Sequence, residues 1–468
     1  MKKKVFILLP DGVGLRNFAF TKFKEIGEEQ GFDIVYWNNT IFPLKEELGY
    51  EEVPVNTTNL HWKTPIYSRA RKRIELSLSQ QKFNDDVYPT YRFPLSYKGL
   101  KNTFKSLYVN YLTFTKTSDK GLRSIKERIN GFERANPKYE QCKAQLQAHR
   151  PDIIFCTNQR PTQALSALLA AKDLGIPTAT WIFSWDNLPK ATMVVETDHY
   201  FVWSDHMKTE LLTYYPYIKE EQIVVTGTPQ FEPHYDTSLL MSREEFCMQH
   251  HLDPDQRFLC FSGDDITTSP LDQYYLEDTA IAVRKLRAQG ENVHIIYRKV
   301  PVDFTGRYDE VLAQYKDVIT SIDPLWKPVG DSWNQVMPTK QDFELLVNVC
   351  HHSEYVCNIA SSMVFDFVIH DKPCLFFDYE QPQLKKGIRD IGQNYKYVHF
   401  RSMPDMERSV AWTRSKEETI QKVAQLFEQP FQDIEVTKQW YQVINRPDEP
   451  TKASYRIWQG IKQILSSS

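Results

Sequence analysis

The 468-residue chain has no run approaching the roughly 18 consecutive apolar residues that a membrane-spanning helix needs. It has no Cys-x-x-Cys pair. Its seven cysteines are odd in number and scattered, which argues against a disulfide framework and for reduced, mostly buried thiols in a cytoplasmic protein. Nothing resembles a zinc site: His351 and His352 are adjacent, a spacing that does not easily bring both rings to one metal, so they read as structural. The opening MKKKVFILLPDG has the charge of a signal peptide. Its apolar run stops at Pro10-Asp11 without a small-residue cleavage site, so it reads as a first buried strand. Without a secretion signal, the Asn-x-Thr sequons at Asn38 and Asn56 carry little meaning. No short repeat and no low-complexity tract is present.

What remains is ordinary globular composition, 41% hydrophobic and 25% charged, in a length that suggests at least two domains. The net charge of −3 conceals an asymmetry. Residues 60–150 hold 19 Lys and Arg against 7 Asp and Glu, a surplus of 12 that leaves the remainder at −15. In this span Arg71, Lys72, Arg73, Lys101 and Lys105 are interleaved with Tyr88, Tyr91, Phe93, Tyr97, Phe104, Tyr108, Tyr111 and Phe114. Basic side chains attract phosphates, and aromatics suit a membrane interface or a stacking platform. No nucleic-acid module motif appears, so an anionic membrane surface or a lipid-phosphate acceptor is expected and nucleic acid is not. A helical insert with a basic solvated face fits the same residues.

Either side of that span the chain alternates short apolar runs with turns and amphipathic stretches, the rhythm of parallel βα units. Strands are expected at 4–9, 33–37, 153–156, 178–183, 200–203 and 223–226. After a restart near 230–240 they are expected at 258–262, 293–297, around 355, at 374–377 and at Tyr397–Phe400. Asp11-Gly12-Val13-Gly14 after the first strand opens a Rossmann-like domain without completing the dinucleotide fingerprint. The expected fold is α/β: two Rossmann-like domains facing a cleft, over 1–233 and 234–450, the first carrying a basic aromatic helical insert at about 60–150. A helix at 451–468 is expected to pack back on the first domain.

The stretch from Tyr355 to Asp378, YVCNIASSMVFDFVIHDKPCLFFD, reads as strand, polar turn, helix, turn and strand. Ser361 and Ser362 fall where strand gives way to helix, a place that suits both an ordinary N-cap and an anion site. This series, with Phe365-Asp366, Lys372-Pro373 and Cys374-Leu375-Phe376-Phe377, resembles the second domain of GT-B glycosyltransferases. The nearest likeness is to the CDP-glycerol glycerophosphotransferase and capsule or surface-polysaccharide transferase branch. Val225-Thr226-Gly227-Thr228-Pro229 resembles the family's linker into the nucleotide-binding domain.

The resemblance implies a glycosyltransferase moving a sugar from a nucleotide-activated donor, its substrate rather than a cofactor, to a polysaccharide or lipid-linked acceptor at the inner membrane face. It assigns donor phosphates to Ser361 and Ser362, and donor contacts to the loop holding Asp264, Thr267, Thr268 and Ser269. Arg298 and Lys299 would neutralise the leaving diphosphate. The family's usual His-Pro pair is Val300-Pro301 here, a departure that leaves this role to the basic pair or implies another donor. Asp11 takes the place of an inverting enzyme's base, with Asp186 the second candidate. Asp11 can equally be a turn residue, for which Asp-Gly is common. Glu380 would take a ribose hydroxyl, or be a solvated loop acid. Asp264-Asp265 only approaches an Asp-x-Asp pattern, so no metal is expected. A glycerol-phosphate transferase, a nucleotide-sugar epimerase and a non-catalytic binding protein on the same scaffold also fit.

Overall fold

Val5 to Leu9 form an unbroken apolar run, and all five residues are buried, as a strand covered on both faces of a parallel sheet requires. In the computed structural model, which describes residues 2–55, 60–301, 303–328, 336–385, 390–446 and 448–467, this run is most of β1 (Lys3–Leu9). With β2 (Phe32–Asn38), β3 (Glu52–Pro54), β4 (Ile153–Cys156), β5 (Thr178–Trp181), β6 (His199–Val202) and β7 (Ile223–Val225) it makes a seven-stranded sheet. The order is β3-β2-β1-β4-β5-β6-β7, with every neighbouring pair parallel.

Five helices lie between β3 and β4, among them Thr64–Phe83, Leu100–Lys116 and Asp119–Arg134. Arg71 fastens the first of these to the sheet's loops. It is buried, pairs with Glu75 at 2.5 Å, and donates to the carbonyls of Met193 (2.8 Å) and Ala191 (3.0 Å). Asn38, at the end of β2, is also buried and donates to the Phe42 carbonyl, so its sequon offers no accessible acceptor. Asn56 lies outside the described residues.

The chain divides into two compact units, Met1–Pro229 with Ile444–Ser468, and Gln230–Val443. The second holds β8 (Arg257–Ser262), β9 (Val293–Arg298), β10 (Ile319–Ile322), a small antiparallel ribbon of β11 (Lys327–Pro328) and β12 (Val336–Met337), β13 (Ser353–Asn358), β14 (Cys374–Phe377) and β15 (Ala411–Thr413). Its main sheet runs β10-β9-β8-β13-β14-β15, again all parallel. Tyr397–Phe400 is not a strand: Val398–Ser402 is a 3₁₀ turn, and Phe400 packs near Phe376 and Trp440. The edge position goes instead to β15, which is short. All seven cysteines are buried and free, and no helix among the described residues is long and apolar enough to cross a membrane.

The helix Ala453–Ser467 completes the first unit. Trp458 is fully buried, stacked on Phe23 (4.7 Å between centroids) and Phe32 (4.9 Å), and its indole donates to the Phe23 carbonyl at 2.7 Å. A Cβ at Gly27 would come within 2.3 Å of the indole, so only glycine lets this helix dock. Trp458→Ala removes the stack and the hydrogen bond together and is expected to destabilise the protein by about 3–5 kcal/mol. A urea denaturation midpoint equal to that of the unchanged protein would contradict this packing.

Candidate functional site

In a parallel sheet whose strand order reverses, the loops at the carboxyl edge diverge at the reversal and leave room for a ligand. The reversal lies between β1 and β4 in the first unit and between β8 and β13 in the second.

In the first unit, Asp11 follows β1 and caps the 3₁₀ turn Gly12–Gly14, accepting from the Val13 amide at 3.3 Å. Its carboxylate also accepts from Asn158 Nδ2 at 3.1 Å, across the reversal. Burial raises its pKa, and the nearby Arg160 charge and these hydrogen bonds counter the rise. A Cβ on Gly14 would meet Thr157 Oγ1 at 2.3 Å, so the turn beside Asp11 closes on β4 only with glycine there.

The hydrogen bonds continue sideways. Gln159, fully buried, donates to Asn187 Oδ1 at 3.0 Å, and Asn187 donates to Asp186 Oδ1 at 2.8 Å. Asp186 also pairs with Lys190. The two candidate bases therefore belong to one polar chain along the carboxyl edge, and Asp186 has its charge matched locally. The residues joining them, Thr157-Asn158-Gln159-Arg160, escaped the sequence reading. Their signal is a four-residue polar run directly after the strand Ile153–Cys156.

Two cations stand beside this chain. Arg160 lies over the Phe183 ring at 4.6 Å, and Lys72 over Phe93 at 4.8 Å. Among the described residues neither forms an ion pair with a carboxylate. Burial, then the charges of Arg71, Lys190 and Arg160, push Lys72 down to about 8, so it belongs with this cluster. Arg71, by contrast, is enclosed with Glu75 and is not available to a membrane or an acceptor, and Arg73 is partly buried with its Nε lacking a partner. Lys101 and Lys105 are exposed on the helix Leu100–Lys116.

In the second unit, the loop after β8 is stapled internally. Asp265 accepts from the Thr267 amide at 2.7 Å and from both threonine hydroxyls, the Thr268 bond being 2.9 Å. Ser269 is fully buried. The hydroxyls expected to reach a donor are therefore engaged or enclosed in this conformation. Beneath them Asp264 and Asp272 are both raised, Asp264 by burial and its two acidic neighbours, Asp272 by burial. Tyr308 donates to Asp272 at 2.6 Å, while Arg307 donates to the carbonyls of Asp264 and Ser269. Arg307 thus organises the loop, although nothing local in the sequence marks it.

Arg298, expected to meet the leaving diphosphate, has a carboxylate partner in this structure. It is buried and paired with Asp342 at 2.7 Å, a carboxylate that also accepts from Trp326 Nε1 at 2.7 Å. Lys299, next along, is partly exposed and makes no ion pair among the described residues. It is the available cation.

Ser361 and Ser362 sit on the other side of the reversal, after β13. Ala360 has a left-handed φ of +56°, the Ser361 amide donates to Asn358 Oδ1 at 3.2 Å, and Ser362 makes no side-chain cap to the short helix Met363–Val368. That helix is held by Asp366, which is 2.9 Å from His234 Nε2, while His234 Nδ1 is 3.0 Å from His370 Nε2. Burial and then the neighbouring His234 push His370 down to about 3. Glu380 accepts from the Ile391 amide at 3.1 Å and borders a 440 Å³ cavity with Asp378, Tyr395, Trp412 and Arg414. Burial and the adjacent Asp390 push it up to about 7.

No protein-family model matches the chain, and no curated protein does. Solved structures do. A UDP-N-acetylglucosamine 2-epimerase aligns with a TM-score of 0.54 at 13% identity, over 100% of this chain and 98% of its own. A glycosyltransferase from Rickettsia africae gives 0.53 at 11%, over 100% of both chains. The UDP-GlcNAc 2-epimerase of Methanocaldococcus jannaschii gives 0.51 at 12%, over 99% and 100%. At such identities the likeness is one of fold: two parallel Rossmann-like sheets in a GT-B-like layout.

Buried beside Asp186, Glu210 has an Oε2 without a hydrogen-bond partner, and burial followed by the Asp186 charge pushes it up to about 8. The folded state therefore holds this proton more tightly than the unfolded chain does. The stability it contributes is complete below about pH 4.5 and is lost as pH rises through about 8, by at most about 1.4 kcal/mol per pH unit. Glu210→Gln should flatten this decline and gain on the unchanged protein at pH 9 compared with pH 5. An equal difference at both pH values, read by urea melts, would contradict the buried protonated carboxyl.

Proposed function

We propose that the protein is a glycosyltransferase that moves a sugar from a nucleotide-activated donor to a polysaccharide or lipid-linked acceptor at an anionic membrane face. The observation carrying this reading is that each sheet gathers polar residues at its own reversal, with a different chemistry in each. The second unit offers the hydroxyls of Ser361 and Ser362, with Lys299 as a cation, which suits a nucleoside diphosphate. The first offers a carboxylate of raised pKa, Asp11, beside Lys72 and Arg160. That combination suits an acceptor hydroxyl whose neighbouring group is negatively charged.

In this scheme Asp11 takes the acceptor proton as the hydroxyl attacks the sugar, while Asp186, matched by Lys190, holds the polar chain in place. Donor phosphates lie against Ser361 and Ser362, and the charge developing on the leaving diphosphate is met by Lys299. Arg298 acts indirectly, as the partner of Asp342. The loop Asp264–Ser269 must open its internal hydrogen bonds to add contacts, with Arg307 restraining it. Glu380, poised near neutral pH, accepts from a ribose hydroxyl when ionised.

Two of the aligned structures are UDP-N-acetylglucosamine 2-epimerases, so UDP is the first nucleotide to try, followed by GDP, CDP and CMP. One of them should raise the melting temperature, and Ser361→Ala with Ser362→Ala should weaken its binding at least tenfold. Asp11→Asn should leave that binding unchanged while lowering kcat by about 10²–10⁴. Absence of any nucleotide effect would overturn the donor assignment. Inversion at a sugar carbon without nucleotide release would replace transfer by epimerisation.

A further inference from the structure

The helix Leu100–Lys116 has two apolar faces, of which one is packed. Ser106, Val109 and Leu112 are buried, and the helix lies against Thr64–Phe83 and Asp119–Arg134, which fix its orientation within the first unit. The other face carries Leu100 (80% exposed), Phe104 (69%), Leu107, Tyr111 and Phe114 (89%). These follow one another at i, i+4, i+7, i+11 and i+14, a ridge about 80° wide and about 21 Å long on an α-helix. Phe93 and Tyr97, which precede the helix, are also exposed, and the Tyr97 hydroxyl accepts from Asn110 Nδ2 at 3.0 Å. Packing explains neither Phe104 nor Phe114, and a solubilising surface would have neither.

Charge selects the occupant. From Phe93 to Ser118 the chain has four lysines, Lys98, Lys101, Lys105 and Lys116, and no Asp or Glu. Two copies of the ridge packed on each other about a two-fold axis would bring these lysines together with nothing to neutralise them, which disfavours self-association. Aromatic and leucine side chains along a helix flanked by lysines instead match the boundary of a bilayer: rings and leucines enter the headgroup–acyl region while ammonium groups stay with anionic phosphates. The helix is too polar to span, so it would lie in the plane of the surface.

We propose that the ridge Leu100–Phe114 inserts into the interface of an anionic lipid bilayer, with Lys101 and Lys105 contacting lipid phosphates. This rests on the membrane-face acceptor proposed above and gives it a physical contact, which moves from the buried Arg71 to the helix Leu100–Lys116.

The test is sedimentation of the full chain with vesicles of phosphatidylcholine alone or with 30% phosphatidylglycerol. Binding is expected to the anionic vesicles, weakening as salt rises. Phe104→Ser with Phe114→Ser should weaken it more than tenfold at every salt concentration. Lys101→Gln with Lys105→Gln should weaken it chiefly at low salt and flatten the salt dependence. All four positions are exposed, so unchanged melting temperatures are expected of these variants. Absence of binding to anionic vesicles, or equal binding by the Phe104/Phe114 variant, would overturn the proposal. So would a concentration-dependent dimer that this variant abolishes, which would assign the ridge to a second copy. Nucleotide binding is measured separately: its loss with vesicle binding intact counts against the transferase reading alone, and the converse against the ridge alone.

Discussion

Strand order reverses once in each sheet, and most of the candidate site's geometry follows from that constraint. Where neighbouring strands send their connections to opposite faces, the ends of β1 and β4, and of β8 and β13, are left with polar loops. Groups there are buried deeply enough to need hydrogen-bond partners. In the first unit the requirement is met from strand to strand, through Asp11, Asn158, Gln159, Asn187 and Asp186. In the second it is met within loops, by Asp265 for the threonines and by Arg307 for the carbonyls above Asp272. One edge is thus a polar lattice strung between strands, and the other a loop bonded largely within itself.

The parallel α/β architecture was legible because buried parallel strands are nearly continuous apolar runs, as in β1, β8 and β14, and each ends in turn chemistry. Of the four edge strands only β7, Ile223-Val224-Val225, keeps that signature. β3, β10 and β15 are short, and Ile319-Thr320-Ser321-Ile322 has polar residues at its centre, so none stood out. Tyr397–Phe400 misled for the opposite reason: its composition suits a strand, but its rings serve a cluster that a 3₁₀ turn fills as well.

The site was legible where chemistry is local. Asp11 and the serine pair follow strands directly, and their positions at the two reversals come from topology alone. Arg298 shows what such reading leaves out. Its partner Asp342 is 44 residues away, and a sequence gives no indication that a strand-end arginine is already neutralised. Arg71 is the same case on the insert: four basic residues in close succession look alike in sequence, yet one is a buried clamp, one belongs to the polar cluster, and their packing decides which.

The first unit is built from both ends of the described chain, and this has a bearing on the order of synthesis. Residues Gln230–Val443 emerge from the ribosome before Trp458, yet Trp458 fills the space between Phe23 and Phe32. The second unit is complete while the first still lacks its closing helix. Phe23 has Phe18 and Phe155 beside it, but it and Phe32 lack the indole until Trp458 is made, more than four hundred residues later. The segment holding Phe23 and Phe32 is therefore translated well before the helix that completes its packing.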